Sequence, residues 1–203
     1  ATVAAFDVSG NATIGYHSGN GEGSEGELRL AGAAGKIGGN LFVGDKETGG
    51  GSQVSSSGLL ELDGAHLEVE GNVTLGLTGK TRVTVSTVSA GLLLSSNSNL
   101  TIELQGIGVG DTNSGYHIIF EDPASNFEGI YYGLAWKGSQ HLETLNGLVD
   151  NFSITWTNNM SGGHEVGVFY DPDLDLTYVG LQVIPEPSTM GLILTSGAGL
   201  LLI

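Results

Sequence analysis

The sequence of 203 residues contains no cysteine. This absence excludes a cysteine nucleophile, a zinc site built on thiolates and an iron–sulfur cluster. It also means that the chain folds without disulfides, which a secreted chain of this length can do if it buries enough apolar surface. The missing cysteines therefore limit the chemistry and leave the compartment open.

Cations are scarce: six Lys and Arg stand against 22 Asp and Glu, for a formal net charge of -16. Nucleic-acid binding needs clustered cations that neutralise phosphates, and attraction to an anionic membrane surface needs the same. The composition excludes a nucleic-acid partner and favours a soluble, acidic protein outside the cell.

Proline is also rare, with four residues against 35 glycines. Apolar residues alternate with Ser, Thr and Asn along much of the chain, which predicts many short strands joined by tight turns. A disordered chain would lack so many Val, Leu and Ile residues. We expect an all-β fold.

A motif of the form G-N-x-[TF]-x-G occurs three times, as GNATIG (Gly10–Gly15), GNLFVG (Gly39–Gly44) and GNVTLG (Gly71–Gly76). The starts lie 29 and 32 residues apart. At the second spacing, residues 26–44 align without gaps on residues 58–76, with eight identities in 19 positions. An internal repeat of this length is typical of stacked supersecondary units.

Within the repeat, Leu28 and Leu30 flank Arg29, and Leu60 and Leu62 flank Glu61. Alternation of this kind places the leucines on one face of a strand and the charges on the other. We interpret Gly-Asn as a corner, because both residues tolerate positive φ. Ser95–Asn99 is interpreted as a further polar corner, with an Asn/Ser stack as one option. Short strands and corners predict a parallel β-solenoid (β-helix) over residues 1–104, in which one 32-residue unit makes one large coil or one and a half ordinary ones.

From Gln105 the composition changes: aromatic residues become frequent and the G-N motif disappears. GYHIIF, FSITWT, EVGVFY and LTYVGLQV are typical of strands, and SQHLETLNGLV of a short helix or turn. The end of a solenoid needs a cap that prevents end-to-end pairing. We therefore interpret residues 105–182 as a β-rich cap or a small sandwich.

Residues 183–189 form a stiff, proline-containing linker, and residues 190–203 form an apolar tail. As a helix the tail would span about 21 Å, less than the ~30 Å hydrocarbon layer of a membrane. A buried strand, a membrane anchor and a removable signal are all compatible with these residues.

The order Pro185-Glu186-Pro187 followed by an apolar run resembles the C-terminal sorting signal of PEP-CTERM proteins. In that family an Arg-rich end follows the helix, whereas here no Lys or Arg follows Lys137, so the signal looks truncated. The resemblance implies export by a signal peptide, transient membrane insertion of the tail as a short C-terminal helix, and cleavage by an exosortase near Pro187. Its implied location is the surface or extracellular matrix of a Gram-negative-type bacterium, often with exopolysaccharide. The repeats also resemble, in texture, the β-helical segments of autotransporter-like surface proteins.

The start of the chain carries a second export feature. Ala1–Gly10 has the small residues of a signal-peptide cleavage region, with cleavage before Ala1 or after Ala5. An arbitrary boundary accounts for this segment equally well.

Few residues are candidates for metal binding or catalysis. Asp171, Asp173 and Asp175 alternate as in a calcium loop, but the EF-hand glycine and glutamate positions hold Leu176 and Gln182, so we favour a polar turn over a metal site. The five histidines are far apart, and no cofactor is expected.

The prediction is a non-enzymatic protein for display, adhesion or matrix structure. The alternatives are a polysaccharide-binding or polysaccharide-cleaving β-helix protein and an extracellular filament subunit.

Two groups of residues bear on the carbohydrate alternative. Glu61, Asp63, Glu68 and Glu70 are the main acidic cluster, which we interpret as a solvated charge ladder. Tyr131, Tyr132 and Trp136 offer rings that stack on sugars, although packing inside the cap is the favoured role.

Overall fold

The computed structural model describes residues 5–15, 25–44, 57–76, 79–102, 115–121, 130–156 and 164–183. Strands make up about two thirds of these residues, and most strand pairs are parallel, so the predicted all-β class is confirmed. The strands are β1 (Ala5–Val8), β2 (Ala12–Ile14), β3 (Glu25–Ala31), β4 (Ala34–Ile37), β5 (Leu41–Val43), β6 (Ser57–Asp63), β7 (His66–Val69), β8 (Val73–Leu75), β9 (Gly79–Val85), β10 (Gly91–Leu94), β11 (Leu100–Ile102), β12 (Gly115–Phe120), β13 (Tyr131–Lys137), β14 (Phe152–Trp156), β15 (His164–Asp171) and β16 (Leu176–Val183).

These strands form three sheets, and consecutive strands enter the sheets in turn. Sheet A has the order β1-β4-β7-β10-β13-β16-β15, sheet B the order β2-β5-β8-β11, and sheet C the order β3-β6-β9-β12-β14. Three consecutive strands, one from each sheet, are called a layer below. The first four layers run from β1 to β12, and each lies beside the next through parallel pairing.

The sequence repeat reappears as the register of one strand pair in each sheet. In sheets A and B this pair joins the second and third layers, residues 34–37 with 66–69 and 41–43 with 73–75. In sheet C it joins the first and second layers, residues 25–31 with 57–63. Each sheet therefore contains one pair with an offset of 32 residues, and one sequence repeat supplies one strand to each sheet. The 29-residue offset of the first motif pair is likewise the register of β1 with β4 and of β2 with β5.

The core lies between the three sheets and is one continuous apolar cluster. Leu60 and Leu62 of β6 and Leu67 of β7 are fully buried. Glu61 lies on the outer side of β6. The alternation predicted from the sequence is confirmed for β6, because its residues alternate between partly exposed and buried. Burial of each leucine stabilises the fold by roughly 1.5–3 kcal/mol relative to exposure.

Parallel stacking continues beyond residue 104. β12 pairs with β9, β13 with β10 and β14 with β12, all in parallel, and only β16 and β15 are antiparallel. The expected change of architecture at Gln105 is thus a change of composition: larger aromatic side chains fill the same sheets.

The predicted short helix is confirmed as α1 (Leu142–Leu148), flanked by 3-10 turns at Ser139–His141 and Val149–Asn151. It occupies the place in chain order that sheet B strands hold in the earlier layers.

Glycines that recur in the repeat lie where sheet B ends and sheet C begins. A Cβ on Gly58 would lie 2.3 Å from both the Gly44 nitrogen and the Ile14 oxygen, closer than any real contact. Gly44 itself has a φ of 78° and therefore lies in the left-handed region that favours glycine. Close backbone approach thus explains why glycine occupies both positions of the repeat.

We predict that Gly58→Ala lowers the free energy of unfolding by roughly 2–3 kcal/mol or more, because its methyl group forces backbone atoms of two layers apart. The matched control is Gly10→Ala, since a Cβ on Gly10 meets no atom within 4 Å and its φ is not positive. The control should change stability by less than about 0.5 kcal/mol. Chemical denaturation followed by circular dichroism measures both, and equal stabilities of the two variants would contradict the packing described.

Candidate functional site

The sorting motif Pro185, Glu186 and Pro187 and the apolar tail 190–203 lie outside the described residues, as does the start of the expected leader region, residues 1–4. The predicted C-terminal helix is therefore not part of the described fold, whose last residue is Val183. Within the part of the chain that is described, no helix is long and apolar enough to cross a membrane.

The three aspartates considered for calcium lie in the hairpin turn between β15 and β16. Asp171 Oδ1 accepts the backbone N–H groups of Asp173 at 2.8 Å and Leu174 at 3.1 Å, and Asp175 Oδ1 accepts the Tyr170 hydroxyl at 2.9 Å. Asp171 thus bonds backbone groups of the turn, as in an Asx-turn, and Asp175 bonds a side chain of β15. Across the described segments, no group of three or more His, Cys, Asp or Glu side chains is arranged to hold a metal ion.

The asparagines of the repeated motif form a ladder along one corner of the fold, between sheets A and B. Asn11 Oδ1 accepts the Asn40 N–H at 2.8 Å, Asn40 Oδ1 accepts the Asn72 N–H at 2.8 Å, and Asn72 Oδ1 accepts the Asn99 N–H at 2.9 Å. Backbone bonds run beside it, because the Asn40 carbonyl accepts from Ala12 at 2.8 Å. The polar corner predicted at Ser95–Asn99 is confirmed as the last of these four rungs.

The physical reason given for the Gly-Asn corner was wrong. Gly39, Asn40, Gly71 and Asn72 do not have positive φ. A Cβ on Gly71 would instead lie 2.6 Å from the Asn40 Oδ1 atom and 2.6 Å from the carbonyl carbon and oxygen of Gly39. Glycine precedes asparagine here because the backbone and the side-chain amide of the preceding layer leave no room for a Cβ, a contact that a single repeat cannot reveal.

Ion pairs link the layers on the outer faces of sheets A and C. On sheet A, Lys36 Nζ lies 2.7 Å from Glu70 Oε1, and Lys137 Nζ lies 2.5 Å from Glu68 Oε1. On sheet C, Glu61 lies between two arginines, 2.9 Å from Arg29 and 3.6 Å from Arg82. The hydrogen bond from Lys137 lowers the pKa of Glu68 below its usual value. Three of the four acidic residues, Glu61, Glu68 and Glu70, are therefore paired with cations on two sheets, as expected of a charge ladder.

The aromatic residues of β13 are buried and do not present faces for a sugar. Tyr131, Tyr132 and Trp136 are 8%, 3% and 2% exposed. The Trp136 Nε1 group donates to the Ser95 carbonyl at 3.0 Å, and its ring stacks on His141 with centroids 3.9 Å apart. These contacts confirm the packing role and join the segment before α1 to the corner after β10.

A small polar cluster surrounds the outer end of Tyr132. Its hydroxyl lies 3.5 Å from His66 Nδ1, which lies 3.2 Å from the Ser89 carbonyl. Burial raises the pKa of Tyr132 to about 12, so this phenol is neutral at physiological pH and is a hydrogen-bonding group rather than a base. Sequence reasoning missed this cluster, because residues 66, 89 and 132 come together only through the register of sheet A.

The chain matches no protein-family model, no curated protein and no solved structure. Function is therefore inferred from the residues of the chain itself. The described part offers a four-rung asparagine ladder, paired charges on the outer faces and buried aromatic rings. These groups hold neighbouring layers together.

We predict that Asn72→Ala lowers the free energy of unfolding by roughly 1–3 kcal/mol, because Asn99 loses the acceptor of its N–H and Nδ2 groups. Asn72→Asp keeps an oxygen at this position and should lose less. Asn146→Ala on the exposed surface of α1 is the matched control and should be near neutral. If thermal and denaturant melts place Asn72→Ala level with the control, the ladder has no stabilising role.

Proposed function

We propose that this chain is an exported bacterial surface or extracellular-matrix protein with a non-enzymatic role in display, adhesion or matrix structure. The observation that carries the proposal is the Pro185-Glu186-Pro187 motif followed by the apolar residues 190–203. Its resemblance to a PEP-CTERM sorting signal makes an exosortase and the export machinery the first partners. The tail enters the membrane transiently before cleavage, and exopolysaccharide is the proposed neighbour of the mature protein.

We further propose that the body is a parallel β-solenoid, with each layer as one coil. Support comes from the strand order, in which every third strand from β1 to β13 joins the same sheet, and from the 32-residue offset that occurs once in each sheet. Such a stack buries a core along its whole length and presents long, regular outer faces. An elongated display scaffold is a role that this geometry suits.

The electrostatics support the same role. The chain carries a net charge of -16, and five described cations lie on strands. Four of them form ion pairs between layers: Arg29, Lys36 and Arg82 with a neighbouring layer, and Lys137 with Glu68 two strands away in sheet A. Excess negative charge keeps a protein soluble and apart from acidic matrix polymers. Contact with such polymers would therefore depend on attachment at the C-terminus that cleavage near Pro187 creates.

Processing of the tail is the direct test. We predict that the full-length product, expressed with its leader in a bacterium that carries an exosortase, yields a surface form that ends near Pro187. Mass spectrometry of the C-terminal peptide measures this end. Glu186→Ala should accumulate the uncleaved, membrane-bound form, whereas the control Glu165→Ala, an exposed residue of β15, should be processed normally. Retention of residues 190–203 in the surface form of the unchanged protein would contradict the proposal.

A further inference from the structure

Among the described strands, those of the first layer lie at one end of each sheet. β1, β2 and β3 are each the terminal strand of their sheet. The opposite end differs, since sheet A finishes on the antiparallel strand β15 and sheet C on β14, which follows α1. The two ends are therefore not equivalent, and the first layer presents the regular edge.

Inward side chains of the first layer are less buried than their partners in the second layer. Val8 and Leu28 are only partly buried, whereas their partners in the second layer, Ile37 and Leu60, are fully buried. Edge strands with apolar side chains beneath them are templates for pairing with another strand. Occupation of this edge would bury the half-exposed side chains.

The charges on β3 indicate which strand can pair with it. Glu27 and Arg29 flank Leu28 on the outer face, and their side chains are 45% and 63% exposed. In an antiparallel pair of two β3 strands centred on Leu28, each Glu27 lies opposite Arg29 of the other copy. Opposite charges at directly facing positions stabilise a strand pair, and like charges destabilise it. A shift of the centre to Gly26 would oppose Glu25 and Glu27, so the charges also fix the register.

We propose that two copies of this chain associate head to head through antiparallel pairing of their β3 strands, with Leu28 at the two-fold axis. Such an isologous contact closes on itself, so the assembly stops at the dimer. It joins the two scaffolds through their first layers. The proposal involves residues 25–31 alone and is independent of tail processing.

Charge reversal tests the contact. The full chain, held in a non-ionic detergent because of its apolar tail, is compared by sedimentation velocity at about 150 mM salt, where the Debye length is ~8 Å and long-range repulsion between the acidic bodies is screened. We expect a concentration-dependent dimer. Arg29→Glu should weaken it on the order of tenfold or more, because two facing pairs become repulsive. The double variant Glu27→Arg/Arg29→Glu should restore it, because the exchanged charges again face their opposites.

The matched control is Arg82→Glu, which also removes an arginine beside Glu61 but lies on β9 inside sheet C. It should leave the dimer unchanged. Equal dimerisation of Arg29→Glu and the unchanged chain would overturn the proposal and indicate association through the tail or another surface. A monomer at all concentrations, or growth beyond the dimer into filaments, would overturn it as well.

Discussion

In-register pairing of each layer with the next is the constraint on which the rest of this structure depends. A strand in a parallel sheet bonds to the strand that occupies the same place in the preceding layer, so inward and outward positions must match between successive strands of each sheet. Residues 26–44 and 58–76 satisfy this with an offset of 32, and β6 and β9 satisfy it with an offset of 21. Once the offset is fixed, inward leucines meet leucines and outward charges meet opposite charges. The core and the outer faces both follow from it.

The same constraint explains which residues recur. A side chain that must lie at the same corner in every layer can bond to its own equivalent, and asparagine does so because it carries an acceptor beside a backbone donor. Glycine recurs where two layers leave no room for a Cβ, as at Gly58 and Gly71. On the outer face, Glu61 bonds arginines from both neighbouring strands. A display scaffold needs such repetition, because each added layer must be stable on the preceding one.

Much of this could be predicted from the sequence, because alternation and repeat length are local properties. They indicated the strands, the outward position of Glu61 and the offset of 32 residues. Contacts across irregular spacings could not be predicted: β6 and β9 pair at an offset of 21, so Arg82 meets Glu61 without any signal in the repeat. An asparagine stack was considered at Ser95–Asn99, but it was missed for the repeated motif, because Asn40 looks like a turn residue until the next layer lies beside it. In β12, β13 and β14, aromatic composition concealed parallel pairing that continues the same sheets.

The most direct test of in-register stacking is removal of one whole repeat. Deletion of residues 39–70 joins Gly38 to Gly71, removes one strand from each sheet (β5, β6 and β7), and leaves Asn11 and Asn72 as consecutive rungs. The account predicts that denaturant unfolding of this shortened chain remains cooperative, with the β-type circular dichroism spectrum of the parent. Deletion of residues 39–54, half a repeat, should abolish the cooperative transition. Loss of the fold in the 32-residue deletion to the same degree as in the 16-residue deletion would contradict the stacked-layer account.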